Sequence, residues 1–203
     1  GTLGIITQVT LKLQPLPPYK IDMLAIFHDQ MAAIGVVPQL VKAGIDPTSI
    51  EYMDNPNVRT TSEYLEFPGA PHIEDGIYVI ITIETFNEDE LDMKMEQASD
   101  ICEAAGAVDV LEADERIWSM RRNCLESVSL ISKVCTTDDV VVPVDEMSDM
   151  IQYIIKTVAK YPFPLRINAH IGDGNLHIVL CKLDLSDEEW ESELSRFTEE
   201  VYT

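Results

Sequence analysis

Two strand–helix–strand units follow one another in the first half of this chain, and that order limits the folds open to it more than any other feature. Ile21 to Phe27 reads as a strand, Asp29 to Ala43 as a helix kinked at Pro38 and stopped by Gly44, and Ser49 to Met53 as a second strand. The pattern then repeats. Gly76 to Glu84 is a long strand with Ile77, Val79, Ile81 and Ile83 on one side. Asn87-Glu88-Asp89-Glu90 has capping-box spacing and opens a helix ending near Gly106, and Val108 to Leu111 is a strand. The stretch between the units, Asn55 to Asp75, contains Pro56, Pro68 and Pro71 and reads as a long loop. Two such units in series predict an α+β fold of ferredoxin-like type, with helices packed on one face of a largely antiparallel sheet. The other face is then free to carry a site.

Further along, the spacing predicts a helix over Ala113 to Leu130, a short strand from Val140 to Pro143, and a helix from Asp145 to about Ala159. Leu165 to Ile171 and Asn175 to Cys181 flank a glycine-rich turn. Ser186-Asp187-Glu188-Glu189 caps a last acidic helix bearing Trp190, Leu194 and Phe197. Before all of this, Ile5 to Leu13 alternates as a strand, and Gln14-Pro15-Leu16-Pro17-Pro18 is a stiff extended linker. The sequence opens in mid-pattern with Gly1-Thr2-Leu3-Gly4-Ile5-Ile6 and does not begin with Met, which reads as a fragment. A domain boundary is expected at the linker, with residues 1–15 a remnant of a preceding domain and 16–203 the main one.

Charge narrows the range of partners. With 14 basic against 36 acidic residues, the formal net charge is −22, which repels nucleic acid and anionic lipid. An anionic substrate would need a local basic clamp against that field. Cys102, Cys124, Cys135 and Cys181 are few and widely spaced, with no C-x-x-C pair, as in a reduced cytoplasmic protein. No secretory signal and no apolar run of about 18 residues is visible.

The stretch from Arg166 to Ile178 carries the chemistry. Asp173-Gly174 is a hairpin-turn signal, and either a two-residue or a four-residue loop would place His170 directly opposite His177. Alternation sends Ile167, Ala169, Ile171, Leu176, Ile178 and Leu180 to one face and Arg166, Asn168, His170 and His177 to the other. Two adjacent neutral imidazoles suit a divalent metal such as Zn²⁺. The plain alternative is a pair of half-exposed strand histidines joined by a tight turn. His28 and His72 lie in unrelated contexts and read as surface or hydrogen-bonded residues.

Three segments, in order, resemble the C-terminal part of the FAD-linked oxidase family, which includes D-lactate dehydrogenases, glycolate oxidase and D-2-hydroxyglutarate dehydrogenase. They are Gly1-Thr2-Leu3-Gly4-Ile5-Ile6-Thr7 with the linker; Trp118-Ser119-Met120-Arg121 followed by Asp139-Val140-Val141-Val142-Pro143; and Asn168-Ala169-His170-Ile171-Gly172-Asp173-Gly174-Asn175-Leu176-His177, which is similar to the family's G-H-x-G-D-G-N-x-H. The resemblance implies that residues 16–203 form the substrate domain. It makes His170 and His177 ligands of a divalent metal such as Zn²⁺, gives Arg121 the substrate carboxylate, and counts Asn175 as a substrate contact. Gly1, Thr2, Gly4, Ile5 and Ile6 would line FAD. A guanidinium fork suits a carboxylate, because two parallel charge-assisted hydrogen bonds fix the acid's plane.

The implied activity is oxidation of a small D-2-hydroxy acid, of D-lactate or glycolate type, with hydride passing to FAD. An electron acceptor or iron–sulfur partner protein and a homodimer are further expectations. Nothing after His177 matches the family's E-H-G motif, so a third ligand and the base would lie outside these residues. Relatives that use dicarboxylates carry Thr and Lys where Leu125 and Thr137 stand here, which favours a monocarboxylate. The alternative is a non-catalytic ferredoxin-like binding or regulatory module that dimerises through its sheet.

Overall fold

A computed structural model describes residues 3–202. The strands are β1 (Tyr19–Phe27), β2 (Ser49–Met53), β3 (Ile77–Thr85), β4 (Asp109–Glu112), β5 (Cys135–Val141), β6 (Leu165–His170) and β7 (Asn175–Cys181). The helices are α1 (Gln30–Lys42), α2 (Asn55–Tyr64), α3 (Glu88–Ala104), α4 (Glu115–Arg122), α5 (Cys124–Ser127), α6 (Met147–Val158) and α7 (Asp187–Tyr202). All seven strands join one sheet in the order β4-β1-β3-β2-β6-β7-β5, and every pairing is antiparallel. The first four strands have the ferredoxin-like order, as the two strand–helix–strand units predict. The hairpin β6-β7 and edge strand β5 then extend the sheet through a short seam between β2 and β6.

The four long helices α1, α3, α6 and α7 pack on one face over a single apolar cluster that runs the width of the sheet. α1 begins where Asp29 Oδ1 accepts from the Ala32 N–H, and it ends before Gly44, whose φ of 77° suits a residue without a Cβ. At the far end, Trp190 and Phe197 of α7 close edge-on against Phe163.

The opposite face is covered more fully than the sequence predicts. Leu24, Ile26, Tyr78 and Ile80 are buried there beneath Val58 of α2, Ile117 and Met120 of α4, and Cys124 of α5. α2 falls inside the stretch read as a loop. Its residues are poor helix formers, but Asp54 caps it, Pro56 stands in its first turn, and its buried side supplies tertiary support.

The helix expected over Ala113 to Leu130 is broken at Asn123, where the backbone leaves helical geometry and the side-chain amide donates to Ser119 O. The strand expected over Ile5 to Leu13 pairs with nothing among the described residues. It is exposed (Ile5 90%, Leu11 75%), having alternation but no neighbouring ladder. Edge strand β5 begins earlier than expected, at Cys135.

Candidate metal and substrate site

On the face away from the four long helices, five side chains form a row across the sheet. Glu51 projects from β2 directly opposite His170 on β6. The His170 Nδ1 lies 2.9 Å from Glu51 Oε1 and 2.8 Å from Oε2. From above, α4 lowers Arg121 onto the same carboxylate, with Nη2 2.8 Å from Oε2. Next along, His177 on β7 faces Asp139 on β5, and its Nδ1 lies 2.6 Å from Asp139 Oδ1. The two imidazole rings meet nearly edge to face, with centroids 5.2 Å apart.

The register differs from the expected one. His170 pairs with Asn175 and His177 with Asn168, so the histidines are diagonal rather than directly opposed. The turn is Ile171 to Gly174, and flanking strands hold it open. Gly172 N–H donates to Ile50 O at 3.2 Å, and Val142 N–H donates to Gly174 O at 3.0 Å. Gly174 has φ 73°, and a Cβ there would overlap the Val142 carbonyl oxygen. A shift of two residues preserves the face, and diagonal neighbours remain within reach of imidazole rings. The partition of apolar and polar residues between the faces is the one alternation predicts.

A carboxylate at each Nδ1 holds the ring proton there and turns both Nε2 lone pairs outward. Among the described residues, neither Nε2 has a protein partner. Burial holds His177 below its ordinary pKa, with Asp139 acting in the opposite sense and His170 and Arg121 adding to the lowering. His177 is therefore neutral near pH 7, the state a ligand requires. The donor set fits a divalent ion at two positions, each with the carboxylate–histidine support that metal-binding imidazoles use.

Arg121 and Asn175, the residues expected to contact substrate, both reach this face. Arg121 is 11% exposed, its Nε has no hydrogen-bond partner, and its Nη2 meets Glu51 without hydrogen-bond alignment. Buried unpaired donors of this kind suit an incoming carboxylate. Asn175 stands on the same face, and its Oδ1 is buried without a partner. The described residues expected to line FAD are exposed and not packed against this row. Gly4, Ile5 and Ile6 lie in the exposed segment before β1, and nothing stands within 4 Å of where a Cβ of Gly4 would be. Gly1 and Thr2 fall outside the described residues.

Sequence reasoning missed Glu51 and Asp139. Glu51 had a signal: a lone acid between apolar neighbours in a short strand, with the parity that puts it on the histidine face; Asp139 follows Asp138 and carried no such mark. It also missed Asp54, which ties the seam beneath the site. Asp54 Oδ2 accepts from the Ile167 N–H at 2.6 Å, and its Oδ1 accepts from the Asn57 N–H at 2.9 Å.

Comparisons with known proteins now identify the class. The architecture matches alkyldihydroxyacetonephosphate synthase (TM-score 0.64, 17% identity, 99% of this chain and 43% of that one). It also matches p-cresol methylhydroxylase with substrate bound (TM-score 0.64, 13% identity, 91% and 43%). Both show a shared fold. By sequence, residues 16–203 match the family model of the FAD linked oxidases, C-terminal domain, and the chain belongs to that family. It is 32% identical to a D-lactate dehydrogenase of Anaerostipes hadrus, over 100% of this chain and 44% of that protein. It is 30% identical to the glycolate oxidase subunit GlcD of Bacillus subtilis, over 93% and 40%. The chain thus spans less than half the length of these curated relatives. No helix among the described residues is long and apolar enough to cross a membrane.

Proposed function

We propose that this chain is the substrate-handling domain of an FAD-dependent 2-hydroxy acid dehydrogenase of D-lactate or glycolate type. The observation that carries the reading is the pair of adjacent imidazoles whose Nδ1 atoms are both engaged by carboxylates, leaving both Nε2 atoms free beside a buried arginine. In this reading the Nε2 atoms of His170 and His177 are two ligands of a divalent ion such as Zn²⁺. Bound there, the ion would supply Lewis acidity toward the hydroxyl and carboxylate oxygens of the substrate, while FAD would take the hydride from its α-carbon.

The chain's own residues do the rest. Glu51 and Asp139 fix the tautomer and ring orientation of the two histidines. Arg121 offers Nε and its remaining Nη donors to the substrate carboxylate and sets the acid's plane against the sheet. Asn175 Oδ1 is an acceptor for the substrate hydroxyl. Charge favours a small monoacid. Arg121, Glu51 and Asp139 with neutral imidazoles sum to −1, so a divalent ion brings the site to +1, enough to draw one carboxylate against the chain's −22. Leu125 and Thr137 add no cation for a second carboxylate.

Arg121→Lys tests the clamp. It keeps the charge and loses the fork, so kcat/KM of the FAD-loaded enzyme toward D-lactate or glycolate should fall at least about tenfold. An unchanged value would assign the carboxylate to another residue.

A further inference from the structure

We propose a second divalent-metal site, of His₂Asp type, at His28, His72 and Asp75. These histidines are distant in sequence and look unrelated there, yet the sheet brings them together. β1 ends at Phe27 opposite Ile77, the first residue of β3. His28 therefore lies beside the turn that leads into β3. One ligand atom from each of His28, His72 and Asp75 lies within 4.8 Å of the other two. His28 Nε2 is 3.4 Å from Asp75 Oδ1, close to the about 3.3 Å that separates two ligand atoms on a tetrahedral zinc. A fourth group, Asp109 Oδ2 on β4, sits 3.6 Å from His72 Nε2 and can orient that ring or complete the shell.

The turn is built to hold this arrangement. The Asp75 and Gly76 N–H groups both donate to His72 O, at 3.3 and 2.7 Å. Asn55 Nδ2 secures the turn from outside by donating to Ile73 O and Gly76 O, both at 3.1 Å. His72 itself stands at φ 48°, a left-handed conformation that a β-carbon makes unfavourable. Two imidazoles and one carboxylate, all exposed, suit a borderline first-row ion such as Zn²⁺ rather than Mg²⁺ or Ca²⁺, which take all-oxygen shells. Bound there, the ion would tie the end of β1 to the entry turn of β3, with β4 alongside.

The site shares no residue with the His170–His177 pair, so the two can be separated. The experiment is calorimetric titration of ZnCl₂ into the chain carrying His170→Ala and His177→Ala. That variant should bind one equivalent. Adding His28→Gln or Asp75→Asn should weaken the binding at least tenfold and remove the rise in melting temperature that Zn²⁺ gives, with the metal-free melting temperature unchanged. No zinc binding by the His170/His177 variant would overturn the proposal, as would binding that His28→Gln leaves intact.

Discussion

Glu51 is the residue on which the site turns, because its carboxylate meets both the Arg121 guanidinium and the His170 Nδ1. The residue is 8% exposed, and its carboxylate lies between Arg121 and His170. Glu51→Gln keeps the shape and removes the charge, leaving a buried guanidinium without its counter-ion. Removing one partner of a buried pair costs about 3–5 kcal/mol, and loss of such support to a ligand lowers metal affinity by about 10–100-fold. Urea denaturation and zinc titration of this variant should show both losses; stability at the wild-type level would mean that the pair is solvated.

Asp54 carries a separate prediction. Burial raises its pKa to about 6, against the lowering effect of the Asn57 and Ile167 N–H groups. The folded carboxyl then holds its proton over a range in which the unfolded one, near about 3.9, has lost it. Stability contributed by this group falls as pH rises from about 4 to about 6, by about 2–3 kcal/mol, and is flat above. His177, with its lowered pKa, works in the other direction below about 6.5. Comparing wild type with Asp54→Asn removes that second contribution. The variant should show a constant offset from one unsatisfied N–H, and the falling slope should be gone. Parallel pH profiles would show that Asp54 titrates normally.

At the scale of elements, the hairpin is where sequence and structure agree on content and differ on register. The polar face of β6 and β7 was legible because alternation survives any even shift. The register was not, because it depends on β2 and on the end of β5, which pull on the turn from both sides. Only Gly174 permits the approach of Val142, so Gly174→Ala should cost at least about 2 kcal/mol through its positive φ and the clash together. Zinc affinity at His170 and His177 should fall with it, and calorimetry of the variant would read both effects.

The covered second face had a signal that went unused. Tyr78, Val79, Ile80 and Ile81 form an almost unbroken apolar run, the mark of a strand buried on both sides. α2 gave no such signal: its cap is local, but it has no apolar run of its own, and its Asn57 finds its partner, Ile167 O, only once β6 has docked. The break in α4 was hidden in an unremarkable Asn123, and it ends the helix two residues after Arg121.

At the scale of the molecule, the site lies across the seam that joins the ferredoxin-like half to the β6-β7-β5 extension. Arg121 and Glu51 come from the first half; His170, His177 and Asp139 come from the second. Three register pairs, Glu51 with His170 through Met53 with Asn168, join β2 to β6, flanked by the Gly172–Ile50 and Asp54–Ile167 hydrogen bonds. The Arg121–Glu51–His170 chain spans that seam, so the fold must be assembled before the proposed clamp and the proposed ligands face one another. The central claim is that the Nε2 atoms of His170 and His177 hold the ion that activity needs. Metal analysis with turnover in the FAD-loaded enzyme, for His170→Ala and His177→Ala separately, tests it most directly. Each variant should lose one equivalent of divalent metal and fall at least about a hundredfold in kcat, with its circular dichroism unchanged. Full metal occupancy with wild-type turnover in either variant would contradict the claim.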